Sequence, residues 1–296
     1  MKRKVSQGFH IGILIVIIAI LGIITALAFV FFNSQTNSDK TSESVTWAYD
    51  ESKQEWYAQS GVATICKDPF TFDITPVDLS KVIAVGMPGA YRGYSYKPHG
   101  GFRLTDESQG KVDVKLPIDA TLVGLSRYYE GEPATLQYLL TFETDCGIAF
   151  RFDHLYTLTP RFQEIADTTP EPKLNDTRVD PNITFDRADF KAGEIVATEI
   201  GFPAQRNYGF DFGVYDYRSR NNISQDKEWA KLHNQYQSQE WYGRCWVGML
   251  PGADTETARS LSLVVINPAR PNIVSDYCDY APYRTFDFND GKPTEY

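Results

Sequence analysis

Hydrophobic positions along the chain fall into two regimes. From Ile11 to Phe32 there are 22 residues without a charge, and Thr25 is the only polar side chain among them. At about 1.5 Å rise per residue this stretch spans roughly 33 Å, enough for a bilayer core of about 30 Å, so it predicts a transmembrane helix. Beyond it the apolar periods are short. Val112–Leu116 alternates Val, Asp, Val, Lys, Leu, the pattern of a half-buried strand. Ala120–Leu125, Thr135–Phe142, Gly147–Leu155, Glu194–Glu199 and Phe210–Tyr217 read as further strands separated by turn residues. Pro160–Asp186 is rich in Pro, Asp, Thr and Asn and reads as a long surface insertion. Two helices are expected. One is an approach segment over Ser44–Gln59. The other starts at Ser224 as N-cap and runs to Gln237, with Trp229, Leu232 and Tyr236 on one face. The apolar runs Trp241–Leu250 and Ser260–Ile266 read as strands of a C-terminal extension.

Flanking charge orients the apolar segment. Lys2, Arg3 and Lys4 precede it and no acidic residue lies before Phe32, so residues 1–10 are expected in the cytoplasm and everything after residue 32 outside. An uncleaved anchor fits better than a signal peptide. Ala26-Leu27-Ala28 lies inside the apolar run, which exceeds the usual 7–15 residues or so of a signal-peptide core. Residues 33–46 begin as a polar stretch without aromatics and read as a flexible spacer. A β domain over 47–220 and an extension over 221–296 complete the expected organisation.

Taking the three N-terminal cations from the chain's net charge of −9 leaves −12 outside the anchor. That acidity excludes a nucleic-acid partner and an electrostatic grip on anionic polymers. The four cysteines, Cys66, Cys146, Cys245 and Cys278, are even in number and lack CxxC spacing, so two disulfides are expected. Three pairings exist, and Cys66–Cys146 with Cys245–Cys278 keeps each bridge within one region. Asn175, Asn182 and Asn222 head glycosylation sequons. There is no G-x-S-x-G, no P-loop and no G-x-G-x-x-G, and nothing singles out paired carboxylates such as Asp73 and Asp78 from an acidic surface.

From Lys97 to Tyr217 a run of short motifs keeps a definite order: His99-Gly-Gly-Phe-Arg103, Leu116–Val123, Phe152-Asp153-His154-Leu155, Phe190–Ala197 and Phe210–Val214. This series resembles the lysostaphin-type zinc metallopeptidase domain. The first motif is similar to that family's His-x-Gly-φ-Asp opening, the third to its Y-x-H-L segment, and the last falls where it has H-L-H-F-E. The match covers under half of the chain. The resemblance implies a mainly β, duplicated-hybrid-motif domain, here with an N-terminal transmembrane helix and a small α+β C-terminal extension.

The family chemistry transfers poorly. His99 remains, but Arg103 stands at the Asp ligand, Phe212 at the closing His ligand and Phe210 at the other His of that pair, while His154 matches a non-ligand active-site His. A catalytic zinc needs three protein ligands and an open position, and a cation in place of a ligand repels it. The expectation is therefore no metal and no other cofactor. The expected function is that of a single-pass, extracytoplasmic binding or structural protein on an inactive scaffold, whose partner is an envelope polymer, a peptide or a membrane protein. A third possible role is as a structural component of a surface assembly. Arg103 is expected to pair with Asp211 or Asp153 across the vacated site. The alternative is a divergent hydrolase in which His99, His154 and Asp211 serve as relocated zinc ligands. Against it, Asp211 is one residue from the ligand position and is expected on the opposite strand face. His10 and His233 lie outside the matched region.

Overall fold

The six strand segments expected between Val112 and Tyr217 each form a strand, and the chain is mainly β with antiparallel pairing throughout its centre. The computed structural model describes residues 44–92, 95–174, 185–264 and 275–278, with the backbone of two further strands, Arg284–Asp287 and Lys292–Thr294. The expected membrane segment and most of the spacer lie outside the described residues, as do Asn175 and Asn182. No helix among the described residues is long and apolar enough to cross a membrane.

The described residues open with a hairpin, β1 (Thr46–Asp50) and β2 (Glu55–Ser60), where a helix was expected. Trp47, Tyr49 and Trp56 all pack against the same aromatic cluster, which the period-two alternation of strands allows. Asp50 closes the turn by accepting from the backbone N–H of Ser52 (2.9 Å) and Lys53 (3.2 Å). There follow β3 (Val82–Gly86), the small pair β4 (Ala90–Arg92) and β5 (Ser95–Lys97), and β6 (Gly100–Leu104). Next come β7 (Lys111–Lys115), β8 (Ala120–Glu130), β9 (Thr135–Glu143) and β10 (Ile148–Leu158). The expected surface insertion begins instead with helix α1 (Pro160–Asp167), which buries Phe162 and Ala166. After it run β11 (Ala188–Phe190), β12 (Ile195–Ile200) and β13 (Gly209–Asp216). The main sheet runs β11-β8-β9-β10-β13-β6-β3, with β12 bridging β10 and β7.

Alternation gives this sheet two different faces. Phe150, Phe152, Phe210, Phe212 and Val214 point into the large core, where Phe72, Phe102, Phe142 and Trp246 interleave with them. Burying a phenyl ring is worth roughly 2–3 kcal/mol, so this face fixes the register of β10 against β13. The opposite face carries Ala149, Arg151, Asp153, Asp211, Gly213 and Tyr215, as the β10–β13 register requires. Part of that face is roofed by aromatic residues of the hairpin and of the C-terminal region.

The C-terminal region departs most from expectation. Asp226, and not Ser224, caps the helix α2 (Lys227–Leu232), accepting from Glu228 N and Trp229 N. Trp229 is buried there, while Leu232 and Tyr236 are exposed, so the three do not share a packed face. A short α3 (Gln237–Glu240) follows. The segment 241–250 holds a 3-10 turn, Trp246–Met249, rather than a strand, and Trp246 seals the main core. Its apolar residues are packed from several sides, which a short apolar run does not distinguish from a buried strand. Helix α4 (Asp254–Ser260) precedes β14 (Ser262–Val264), which extends the sheet parallel to β3. Both disulfides take the pairing that keeps each within a region, Cys66–Cys146 and Cys245–Cys278. Val45–Tyr296 forms one compact unit.

Arg187 ties the hairpin to the sheet. It donates to Val45 O (3.1 Å) and Thr46 Oγ1 (2.8 Å) and lies 3.5 Å from the Glu143 carboxylate. Burial pushes the Glu143 carboxyl up to about 7, although Arg187, Tyr217 and the Trp47 N–H oppose the rise. The folded state therefore holds this proton more tightly than the unfolded chain. The resulting stability is fully present below about pH 4.5 and is lost as pH rises through about 7. In urea titrations, wild type is expected to lose up to about 3 kcal/mol relative to Glu143→Gln between those limits. A pH-independent difference between the two proteins refutes it.

Candidate functional site

On the second face, Gly101, Asp211 and Asp153 are successive cross-strand partners on β6, β13 and β10. A Cβ at Gly101 would sit 2.6 Å from the Phe210 carbonyl oxygen and 3.1 Å from Asp211 Oδ1, so glycine is required for the carboxylate to lie here. Asp211 thus faces the site, while Phe210 and Phe212 are buried in the core. The expected register is off by one residue. Asp211 does stand opposite Phe212, but the face it takes is the functional one.

β10 changes partner at His154. Up to Asp153 it pairs with β13, and from Leu155 onward with β12. His154 absorbs the switch in the left-handed region, with φ 63°, at a cost of roughly 1–3 kcal/mol. Its carbonyl accepts from Gly201 N (2.8 Å), and its own N–H donates to Asp153 Oδ1 (2.9 Å). A regular strand would send Asp153 and His154 to opposite faces. The left-handed residue brings both rows of side chains together, with the His154 ring against Phe202.

His99 precedes β6 and is buried. Its Nε2 lies 2.9 Å from Asp211 Oδ2, and its Nδ1 lies 3.1 Å from an Arg151 guanidinium nitrogen. A guanidinium only donates, so Nδ1 accepts and the ring proton sits on Nε2, donated to Asp211. Burial, helped by the Arg151 charge, pushes the imidazole down to about 3, which keeps it neutral. Burial alone would raise the Asp211 carboxyl. His99, Arg92 and His154 outweigh that and hold it well below the usual carboxylate range. Arg92 reaches Asp211 Oδ1 at 3.4 Å and donates to the His99 carbonyl at 2.9 Å. Asp153 is fully buried. It accepts from Tyr128 OH through Oδ1 and from Arg151 through Oδ2 (3.4 Å). His154 Nε2 lies 3.6 Å from Asp211 Oδ2, and its Nδ1 lies 3.3 Å from Tyr128 OH and 3.7 Å from Glu130.

The predicted residues His99, His154 and Asp211 therefore converge. Arg103 lines the same cleft and donates to Asn207 Oδ1 (3.0 Å), while the cation bonded to Asp211 is Arg92 and the one bonded to Asp153 is Arg151. Arg92, Arg151 and Tyr128 went unforeseen. Strand alternation would have placed Arg151 beside Asp153 and Asp211, whereas nothing local marks Arg92 or Tyr128. His233 lies elsewhere, buried against Glu240 (3.3 Å). Asn222 is exposed in a 3-10 turn whose Ser224 is buried. Beside Asp211 opens a cavity of about 180 Å³ lined by Arg92, Arg103, His154, Phe202 and Asn207.

A metal ion at this site would have to displace bonds that its donor atoms already make. The donor atoms that gather within 4.8 Å of one another belong to Asp153, His154 and Asp211, a group that omits His99. Asp153 is sealed by Tyr128 and Arg151, Asp211 is held by Arg92 and His99, and both ring nitrogens of His99 are engaged. Two guanidinium groups bonded to the acidic donors repel a dication. Comparison with family models, curated proteins and solved structures finds no match for the chain.

Removing one partner of this partly buried ion pair leaves the other short of compensation. Asp211→Ala and Arg92→Ala are each expected to cost about 2 kcal/mol in chemical denaturation, between the values for exposed and fully buried pairs. The double variant should cost at least about 1 kcal/mol less than their sum. Strict additivity would show that the pair is not coupled.

Proposed function

We propose that the chain is a membrane-anchored, extracytoplasmic binding or structural protein built on an inactive metallopeptidase-like scaffold. One observation carries this reading. The polar atoms that would hold and activate a metal are already bonded to one another and to Arg92 and Arg151. Of the positions that the resemblance marks, Phe210 and Phe212 are buried in the core and Arg103 stands at the opening carboxylate, so none of the three supplies a ligand. A scaffold of that type keeps its cleft without its ion, because a neutral imidazole and two guanidiniums fill the electrostatic role of the cation. The cleft then serves to hold an envelope polymer, a peptide or a membrane-protein partner. Two disulfides suit an oxidising compartment outside the cytoplasm.

A second reading, a hydrolase with relocated ligands, is favoured by one fact: both His99 Nε2 and His154 Nε2 approach the same Asp211 oxygen. Zinc content separates the two. The full chain, purified in detergent and supplied with zinc, is expected to carry far less than one equivalent, with or without His99→Ala. One equivalent in wild type, lost in that variant, would establish the hydrolase reading instead. For the anchor, the wild-type chain is expected in the carbonate-resistant membrane fraction and a variant lacking residues 11–32 in the soluble one. Identical partitioning of the two would refute a membrane role for the segment.

A further inference from the structure

Exposed apolar side chains are concentrated in one part of the surface. Among the described residues six large hydrophobic side chains stand exposed, and three of them are Tyr57, Val62 and Ile65. These three share residues 56–66, a stretch without a charge between Glu55 and Lys67. Tyr57 points away from its β2 neighbour Trp56, which packs in the aromatic cluster. Val62 is 87 % exposed and Ile65 98 %. Both sit on a pinned loop. Thr64 N donates to the Asp145 carbonyl (3.0 Å), and Cys66 is buried in its bond to Cys146, so Ile65 is held outward between two fixed points. Apolar side chains grouped and fixed in the open mark a contact surface.

The place of this loop in the chain indicates its partner. Val45 N donates to Asp145 Oδ1 (2.9 Å), and Asp145 is the residue whose carbonyl holds Thr64. The loop therefore lies beside the point where the chain enters the domain. Residues 33–44 separate that point from the apolar segment ending at Phe32, and they reach at most about 45 Å when fully extended. A bilayer surface is thus within reach of the loop. Charge specifies the kind of surface. Residues 56–66 bring no cation to an anionic headgroup, and Lys67 beside them pairs with Asp73 (2.8 Å). The chain beyond residue 32 carries −12, the net −9 less the three N-terminal cations.

We infer that the loop 61–65 docks on the bilayer that holds the chain, through an uncharged headgroup layer. Val62 and Ile65 enter the acyl boundary, and Tyr57 lies at headgroup level. This inference rests on the membrane anchor proposed above and is independent of the Asp211 cleft.

The full chain, reconstituted in phosphatidylcholine vesicles, tests it. The four native cysteines are paired, so Val62→Cys takes a thiol-directed, environment-sensitive fluorophore added from outside. A lipid carrying a quencher on its acyl chain should lower the emission by about twofold or more. Ile65→Asp in the same chain should restore the emission with an unchanged unfolding midpoint, because that side chain touches little in the fold. Adding phosphatidylglycerol should not strengthen the quenching. Vesicle flotation of the same samples separates this inference from the anchor. A chain that floats with the vesicles but escapes the quencher, or is quenched equally with Ile65→Asp, overturns the docking and leaves the anchor standing. A chain that does not float overturns both. Quenching confined to phosphatidylglycerol vesicles also overturns the inference. So does shielding of the label that needs no quencher and fades as the protein is diluted in lipid, which would place a second copy on this surface.

Discussion

A carboxylate at Asp211, withdrawn from water on the polar face of a β sheet, sets the terms for everything around it. Left alone it would be neutralised or would unfold its surroundings, since an unpaired buried charge costs several kcal/mol. Here it is met by a neutral imidazole N–H at 2.9 Å and a guanidinium at 3.4 Å. Those partners need support in turn: Arg151 holds the tautomer of His99, and Asp153 with Tyr128 balances Arg151. The polar face is consequently a closed network, and its members come from β4, β8, β10, β13 and the residue just before β6.

Such a network needs rigid support, and the Phe-rich opposite face provides it. Phe150, Phe152, Phe210 and Phe212 lock the register of two central strands. A slip of one residue would bury Asp211 and Arg151 among phenyl rings and expose those rings to water. The strain at His154 is sustained for the same reason. Pairing of β10 to β13 before it and to β12 after it over-determines its conformation. The same turn places an imidazole where it faces both the network and the cleft.

How much of this was legible varied with the range of the interaction. The six strands between Val112 and Tyr217 were readable because period two is a local property. The disulfide pairing was readable because each bridge joins cysteines of one region. The hairpin at Thr46–Ser60 was missed because Trp47, Tyr49 and Trp56 find their partners in residues near 215–242, far along the chain. For the 241–250 segment, an apolar run carries no sign of whether its burial comes in a strand or in a packed turn.

Sequence by itself determined the alternation that divides phenylalanine from charge on β10 and β13 and the pairing of its cysteines. These depend on composition and on neighbours in the chain. Only the tertiary structure decided that Asp211 faces the site and that Arg92 and Arg151 rather than Arg103 neutralise its acids. Those outcomes are set by which strands are adjacent and by a single left-handed residue. Both arise from packing between segments tens of residues apart, a term to which no local pattern is sensitive.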